Sequence, residues 1–150
     1  MLALLAATSL DSATGLAEVI DNIVIERHDS TARIRLHLTS PVHYIRHYIS
    51  GDGDAVNVYL QALAPLSFGE GAIPDEVRYS PKNTQVPRFT VRVSLDPRCE
   101  PVPHPVCIVI QFARATRVEL RLGEDRRSLL LELPVASEED ERRASTGERT

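Results

Sequence analysis

The sequence predicts an all-β fold, a two-sheet β-sandwich of about eight strands assembled from two pseudo-repeated halves. Three observations carry this expectation. Apolar and polar residues alternate along run after run of the chain, and a period of two sets one strand face on a core and the other in solvent. Clusters of Gly, Asp, Ser and Pro separate the runs. No apolar stripe of helical period competes with them.

The elements follow in order. Residues 20–27 form a first strand candidate, and Asp29-Ser30-Thr31 turns it into the next. In residues 32–38, Ile34, Leu36 and Leu38 share one face while Arg33, Arg35 and His37 share the other. Residues 43–50 make a third strand, and Gly51-Asp52-Gly53-Asp54 supplies left-handed positions for a hairpin into residues 55–60, whose apolar face is Val56, Val58 and Leu60. The segment 64–87 carries Pro65, Pro74, Pro81 and Pro87 and reads as an irregular crossover or a functional loop. Residues 89–95 alternate through Phe89, Val91, Val93 and Leu95, and residues 106–112 form the next strand. Residues 116–122 turn Val118, Leu120 and Leu122 inward, Gly123-Glu124-Asp125 makes a turn, and residues 128–133 close the set with Leu129, Leu131 and Leu133.

The halves look alike. Ile34, Leu36 and Leu38 match Ile108, Ile110 and Phe112, and Val56-Val58-Leu60 matches Leu129-Leu131-Leu133. One half alone leaves an apolar sheet face wet, so the halves are expected to pack face to face.

Composition bounds the function. The chain has 150 residues, 43% apolar and 25% charged, the size and make-up of one globular domain. Aromatics are only 5% with no Trp, so the core must be Val, Ile and Leu. These values exclude collagen, coiled coil, a wholly disordered chain and a polytopic membrane protein. A net charge of −4 gives no footprint for nucleic acid. Lys82 is the only lysine among many arginines.

The ends differ from the middle. Residues 1–10 are small and apolar and residues 11–17 end in Gly15-Leu16-Ala17, together like the core and cleavage zone of a secretory signal, although no basic residue precedes the run and Asp11 interrupts it. The alternative is a short amphipathic helix or a frayed end. No run reaches the roughly 18–20 apolar residues that span a bilayer, so no transmembrane segment is expected. Residues 137–150 hold no large apolar side chain and read as a disordered polar tail or linker after a domain at 18–136. Cys99 and Cys107 bracket a segment with three prolines. A disulfide, two free thiols, and a metal site borrowing His104 are the three readings open here.

The first half, with Ile34-Arg35-Leu36-His37-Leu38-Thr39-Ser40-Pro41-Val42-His43-Tyr44 at its centre, resembles the AMIN domain of periplasmic amidases and the type IV pilus secretin, over residues 20–63, with an echo in 106–134. Leu131-Glu132-Leu133-Pro134, with Arg126-Arg127 ahead of it, fits the family's ending. Val58-Tyr59-Leu60 departs from it, and Gly51-Asp52-Gly53-Asp54 replaces the family's Pro-Arg turn. The resemblance implies a periplasmic, non-catalytic module without cofactor that binds peptidoglycan or localises a larger protein to the envelope. The rival expectation is an assembly domain that binds envelope proteins of a pilus or secretion machine by sheet-edge addition.

Catalytic constellations are absent: the chain has no nucleotide loop, nucleophile elbow, metalloprotease helix or EF-hand. Asp52 and Asp54 lack the downstream ligands a calcium loop needs and read as a tight turn. His43 and His47 on a strand share a face but stand about 13–14 Å apart, too far for one ion. The remaining signal is basic and aromatic. Arg33, Arg35, Arg92, Arg117 and Arg121 point outward from their strands, and Tyr44 and Tyr48, with Tyr59 nearby, offer stacking surface. Together they suit the sugars and carboxylates of peptidoglycan, because Arg grips carboxylates in a bidentate fork. A solvated sheet face with cross-strand pairs to Glu119 and Glu132 is the competing reading.

Overall fold

The computed structural model describes residues 18–64, 76–83, 85–135 and 146. The leader at 1–17, the tail at 137–150 except residue 146, and the middle of the segment 64–87 lie outside the described residues. The chain is all-β. Its strands are β1 (Ile20–His28), β2 (Thr31–Leu38), β3 (Val42–Ser50), β4 (Ala55–Ala62), β5 (Glu76–Tyr79), β6 (Phe89–Ser94), β7 (Pro105–Phe112), β8 (Glu119–Leu122) and β9 (Ser128–Pro134). They form two antiparallel sheets, β1-β2-β9-β8 and β3-β4-β7-β6-β5, packed as a β-sandwich.

The period-two reading sets the register. In β2, Ala32, Ile34, Leu36 and Leu38 are buried while Arg33, Arg35 and His37 face outward. Opposite them across the sandwich, β4 buries Val56, Val58 and Leu60, and β7 buries Val106, Ile108, Ile110 and Phe112. Leu129, Leu131 and Leu133 of β9 complete the inner layer, and Phe89 and Phe112, with ring centroids 5.6 Å apart, close one end. Each fully buried side chain of this size contributes roughly 1.5–3 kcal/mol. A one-residue slip of any strand would turn its whole set into water.

Three expectations are corrected. First, the segment 64–87 is not wholly irregular: it holds β5, which brings the strands among the described residues to nine. β5 hides from a hydropathy reading because its alternation is inverted. Val77 and Tyr79 face solvent, whereas Glu76 and Arg78 turn to the sandwich edge. There Glu76 accepts the Val19 backbone N–H at 2.7 Å, and Arg78 donates to the Ile20 carbonyl at 2.8 Å and pairs with Glu76 at 3.0 Å. The charged pair thus ties the start of β1 to the opposite sheet.

Second, the halves do not pack as one sheet each. Each sheet takes one hairpin or more from each half. Taking β1, β2 to β6, β7 and β3, β4 to β8, β9 carries the order β1-β2-β9-β8 onto β6-β7-β4-β3, so the two sheets interchange as under a two-fold axis. The crossovers repeat this. Leu38 N–H donates to the Arg127 carbonyl at 2.6 Å and Val42 N–H to that of Arg126 at 2.9 Å. At the other end, Phe112 N–H donates to the Asp54 carbonyl at 2.7 Å and Thr116 N–H to that of Gly53 at 3.0 Å. The physical reason is that each crossover leaves one sheet for the other and buries its backbone groups on the opposite half's turn. Gly51 and Gly53 sit at φ 64° and 86° in one of those turns, where a side chain would be strained.

Third, β3 is not regular. Tyr44 opposes Leu60 and Arg46 opposes Tyr59, leaving Ile45 as a β-bulge. The bulge reverses the facing of everything N-terminal to it, and the site depends on that reversal.

Candidate functional site

Counting back along β3 from the Gly-Asp turn, Tyr48 opposes Asn57, His47 opposes Val58 and Arg46 opposes Tyr59. Because Val58 is buried, Arg46 and Tyr48 lie with Tyr59 on the outer face of the five-stranded sheet. The Tyr48 and Tyr59 rings stack with centroids 5.8 Å apart and planes 18° from parallel. Their hydroxyls hydrogen-bond at 3.0 Å. The Arg46 guanidinium lies over Tyr59 at 4.0 Å from the ring centroid and 6.0 Å from that of Tyr48. This is cation–π geometry at its close end.

The cysteines hold the platform's third side. Cys99 and Cys107 form a disulfide with Cα atoms 6.3 Å apart. Of the three readings the sequence leaves open, the structure carries the disulfide. Cys107 opposes Tyr59 across β4 and β7, so the bridge sits beside the platform. It closes the loop that carries Glu100, which is buried at 8% exposure, and Glu100 accepts from Arg46 Nη2 at 2.9 Å. The loop is pinned further: Cys99 N–H donates to the Asp96 carbonyl and Ala62 N–H to that of His104. The Asp96 carboxyl, hydrogen-bonded by Arg98, is pushed down to about 2.

Electrostatically the platform is close to balanced, since Glu100 offsets Arg46. The Tyr59 phenol is raised above its ordinary value, first because it hydrogen-bonds Tyr48 and second through burial. Tyr48 remains 44% exposed. The arrangement offers a flat π surface edged by hydroxyls, with a guanidinium held in place. Among the described residues no group of three or more His, Cys, Asp or Glu side chains could hold a metal ion. No described helix is long and apolar enough to cross a membrane, which says nothing of strands.

The residues expected to form one patch fall into separate places. Arg33, Arg35 and Arg121 lie together on the outer face of the other, four-stranded sheet. There Glu132 accepts from Arg33 at 2.7 Å and lies 3.7 Å from Arg121. Those bonds hold the Glu132 carboxyl below its ordinary value, the Arg33 hydrogen bond most strongly. Arg35 stands between Val24 and Leu130 with its Nε buried and without a hydrogen-bond partner. Arg117 is exposed just before β8 begins. Arg92 is exposed on the same face as Tyr48 but three strands away, about 14 Å by strand spacing. Tyr44 packs against the core and bonds His47. The reason for the division is twofold: the outer faces of a sandwich point in opposite directions, and the bulge at Ile45 turns Tyr44 away from Tyr48. The same bulge separates His43, opposite Gln61, from His47, opposite Val58, so the two do not share a face.

Arg46 and Glu100 are the members that reading the sequence for outward arginines misses. The register counted from the Gly-Asp turn is the signal that finds Arg46, because it sets Arg46 opposite Tyr59. Nothing in the sequence marks Glu100 as buried. No family model matches the chain, and no curated protein or solved structure matches it either.

Proposed function

We propose that this protein is a non-catalytic, exported cell-envelope module that binds peptidoglycan glycan through the Arg46–Tyr48–Tyr59 platform. The observation that carries the reading is the stacked ring pair on an outer sheet face, with its cation already offset by Glu100. An aromatic surface of low net charge suits the C–H face of a sugar ring better than it suits a polyanion. The phenol hydroxyls at its edge supply hydrogen bonds to sugar hydroxyls. The Cys99–Cys107 bridge supports an oxidising compartment and therefore export. The AMIN-like reading of residues 20–63 agrees with this function and is proposed with it.

The test is retention on purified sacculi at low and moderate salt, comparing the native chain with Tyr48→Ala/Tyr59→Ala. Losing a stack of this kind costs roughly 1–2 kcal/mol, so retention should fall about tenfold. Retention unchanged by the double substitution removes the platform from the mechanism. Retention that survives digestion of the glycan identifies a protein partner instead.

A further inference from the structure

A groove lies at the far edge of the five-stranded sheet from the platform, where the connection between β5 and β6 meets the end of β7. It has a volume of about 620 Å³, within the range of small-ligand sites. Its floor is Phe89 and Phe112, and Tyr79, 76% exposed, forms one wall. Lys82 and Arg88 stand at its rim, and among the described residues no carboxylate lines it. Among the described residues no acid pairs with either cation, whereas Arg33, Arg46, Arg78 and Arg98 all have close carboxylate partners. The groove is also preformed. Asn83 Oδ1 accepts from the Gln85 and Val86 N–H groups at 2.9 Å each, Ser80 N–H donates to the Phe89 carbonyl at 2.9 Å, and Ala113 N–H donates to that of Arg88 at 2.8 Å. Gln111 donates its amide to the Asp54 and Phe112 carbonyls, which leaves its own carbonyl oxygen as an acceptor.

We infer that this groove binds a sugar bearing a carboxylate. The ring lies against Tyr79, Lys82 and Arg88 hold the carboxylate, and the Gln111 carbonyl takes a ring hydroxyl. Two cations that no acid faces among the described residues select an anion. One exposed ring beside an apolar floor selects a compact ring rather than an extended chain. The site does not rest on the Arg46–Tyr48–Tyr59 reading, since it uses other strands and other groups. The carboxylate could belong to a uronic acid or to the lactyl ether of a muramyl sugar; the chemistry recognised is the same.

The experiment is a titration of the isotope-labelled native chain, followed by backbone amide resonances, with trigalacturonate, N-acetylmuramic acid, maltotriose and acetate. Either acidic sugar should shift Tyr79, Lys82, Gln111 and Ala113, scored separately from any shift at Tyr48 and Tyr59, and the tighter of the two identifies the source of the carboxylate. Maltotriose should bind at least about tenfold more weakly, and Lys82→Gln and Arg88→Gln should each weaken the acidic sugar at least about fivefold. Both positions are exposed, so the variants retain the fold, which unchanged core resonances verify. Equal binding of acetate would reduce the groove to a plain anion site and overturn the sugar assignment. Equal binding of maltotriose, or no groove shifts with either acidic sugar at about 10 mM, would overturn the proposal altogether.

Discussion

The Arg46–Glu100 pair joins one exposed partner to one buried partner, and that asymmetry predicts unequal costs. The Arg46 side chain is 53% exposed and that of Glu100 only 10%. In Arg46→Ala the carboxylate keeps its burial and loses its cation, which costs about 2–3 kcal/mol. The variant also loses the guanidinium over Tyr59, for about 0.5–1 kcal/mol more. In Glu100→Gln the buried group is neutral and can still accept a hydrogen bond, while Arg46 returns to water, so the cost is about 0.5–1 kcal/mol. The double variant should recover about 1–2 kcal/mol relative to the sum of the singles, because the stranded carboxylate is gone. Urea unfolding with the disulfide oxidised reads all three differences, provided the dependence on denaturant is unchanged. A Glu100→Gln cost equal to or above that of Arg46→Ala would falsify the claim that the buried partner dominates. Zero coupling in the cycle would refute the pair itself.

Other perturbations follow from the same geometry. Replacing both cysteines by serine opens a loop of sequence separation 8, which should cost about 2.5 kcal/mol of unfolding free energy in urea and weaken sacculus retention by releasing Glu100. The depressed Glu132 carboxyl contributes stability that is complete above the unfolded glutamate value of about 4.3 and is lost as pH falls through the lower folded value. Glu132→Gln should therefore flatten the acid limb of stability against pH, and an unchanged limb counts against the Arg33 bond. The raised Tyr59 phenol has the opposite sign: its contribution is complete below about pH 10 and is lost as pH rises through the folded value. Absorbance titration should show a late tyrosine that Tyr59→Phe removes and Tyr48→Phe draws back toward the ordinary range.

How far the sequence could be read depended on which rule governed each residue. Strands β2, β4, β6 and β9 were legible because burial on one face forces alternation, and Ile34, Val58, Val91 and Leu131 all sit at 0% exposure. β5 was illegible because Glu76 and Arg78 are turned to the sandwich edge by hydrogen bonds to Val19 and Ile20, contacts across more than fifty residues of sequence. Periodicity carries no information about such bonds. The pseudo-repeat was legible as matched apolar triplets, but not the exchange of hairpins between sheets, since a triplet says which face is buried and not which strand lies beside it. The site was half legible. Tyr48 is where an outward tyrosine should be. Tyr44 is not, because one unpaired residue at Ile45 inverts the parity that placed it there. Arg33, Arg35, Arg92 and Arg121 lie on outer faces and Arg117 lies before β8, yet sequence parity cannot distinguish the two outward directions of a sandwich.

The internal two-fold relation lets the two faces be compared position by position. Under it Arg46, Tyr59 and Cys107, in register on one sheet, correspond to Glu119, Glu132 and Arg33 on the other. Tyr48 and Asn57 correspond likewise to Arg121 and Leu130. The backbone therefore presents the same lattice twice, and the side chains make different uses of it. On the four-stranded sheet, Arg33 and Arg121 converge on Glu132, so the groups that would grip a carboxylate already hold one. Such exposed pairs add little stability, but a ligand must displace them to bind. On the five-stranded sheet the charges also meet, Arg46 with Glu100, but they meet at the margin, under the disulfide loop. What they leave facing outward is the ring of Tyr48, 44% exposed, whose stacking capacity is not exhausted by Tyr59 on one side. Equal scaffolding with unequal residual valence is the physical ground for proposing recognition at the tyrosine face and not at the arginine-rich one.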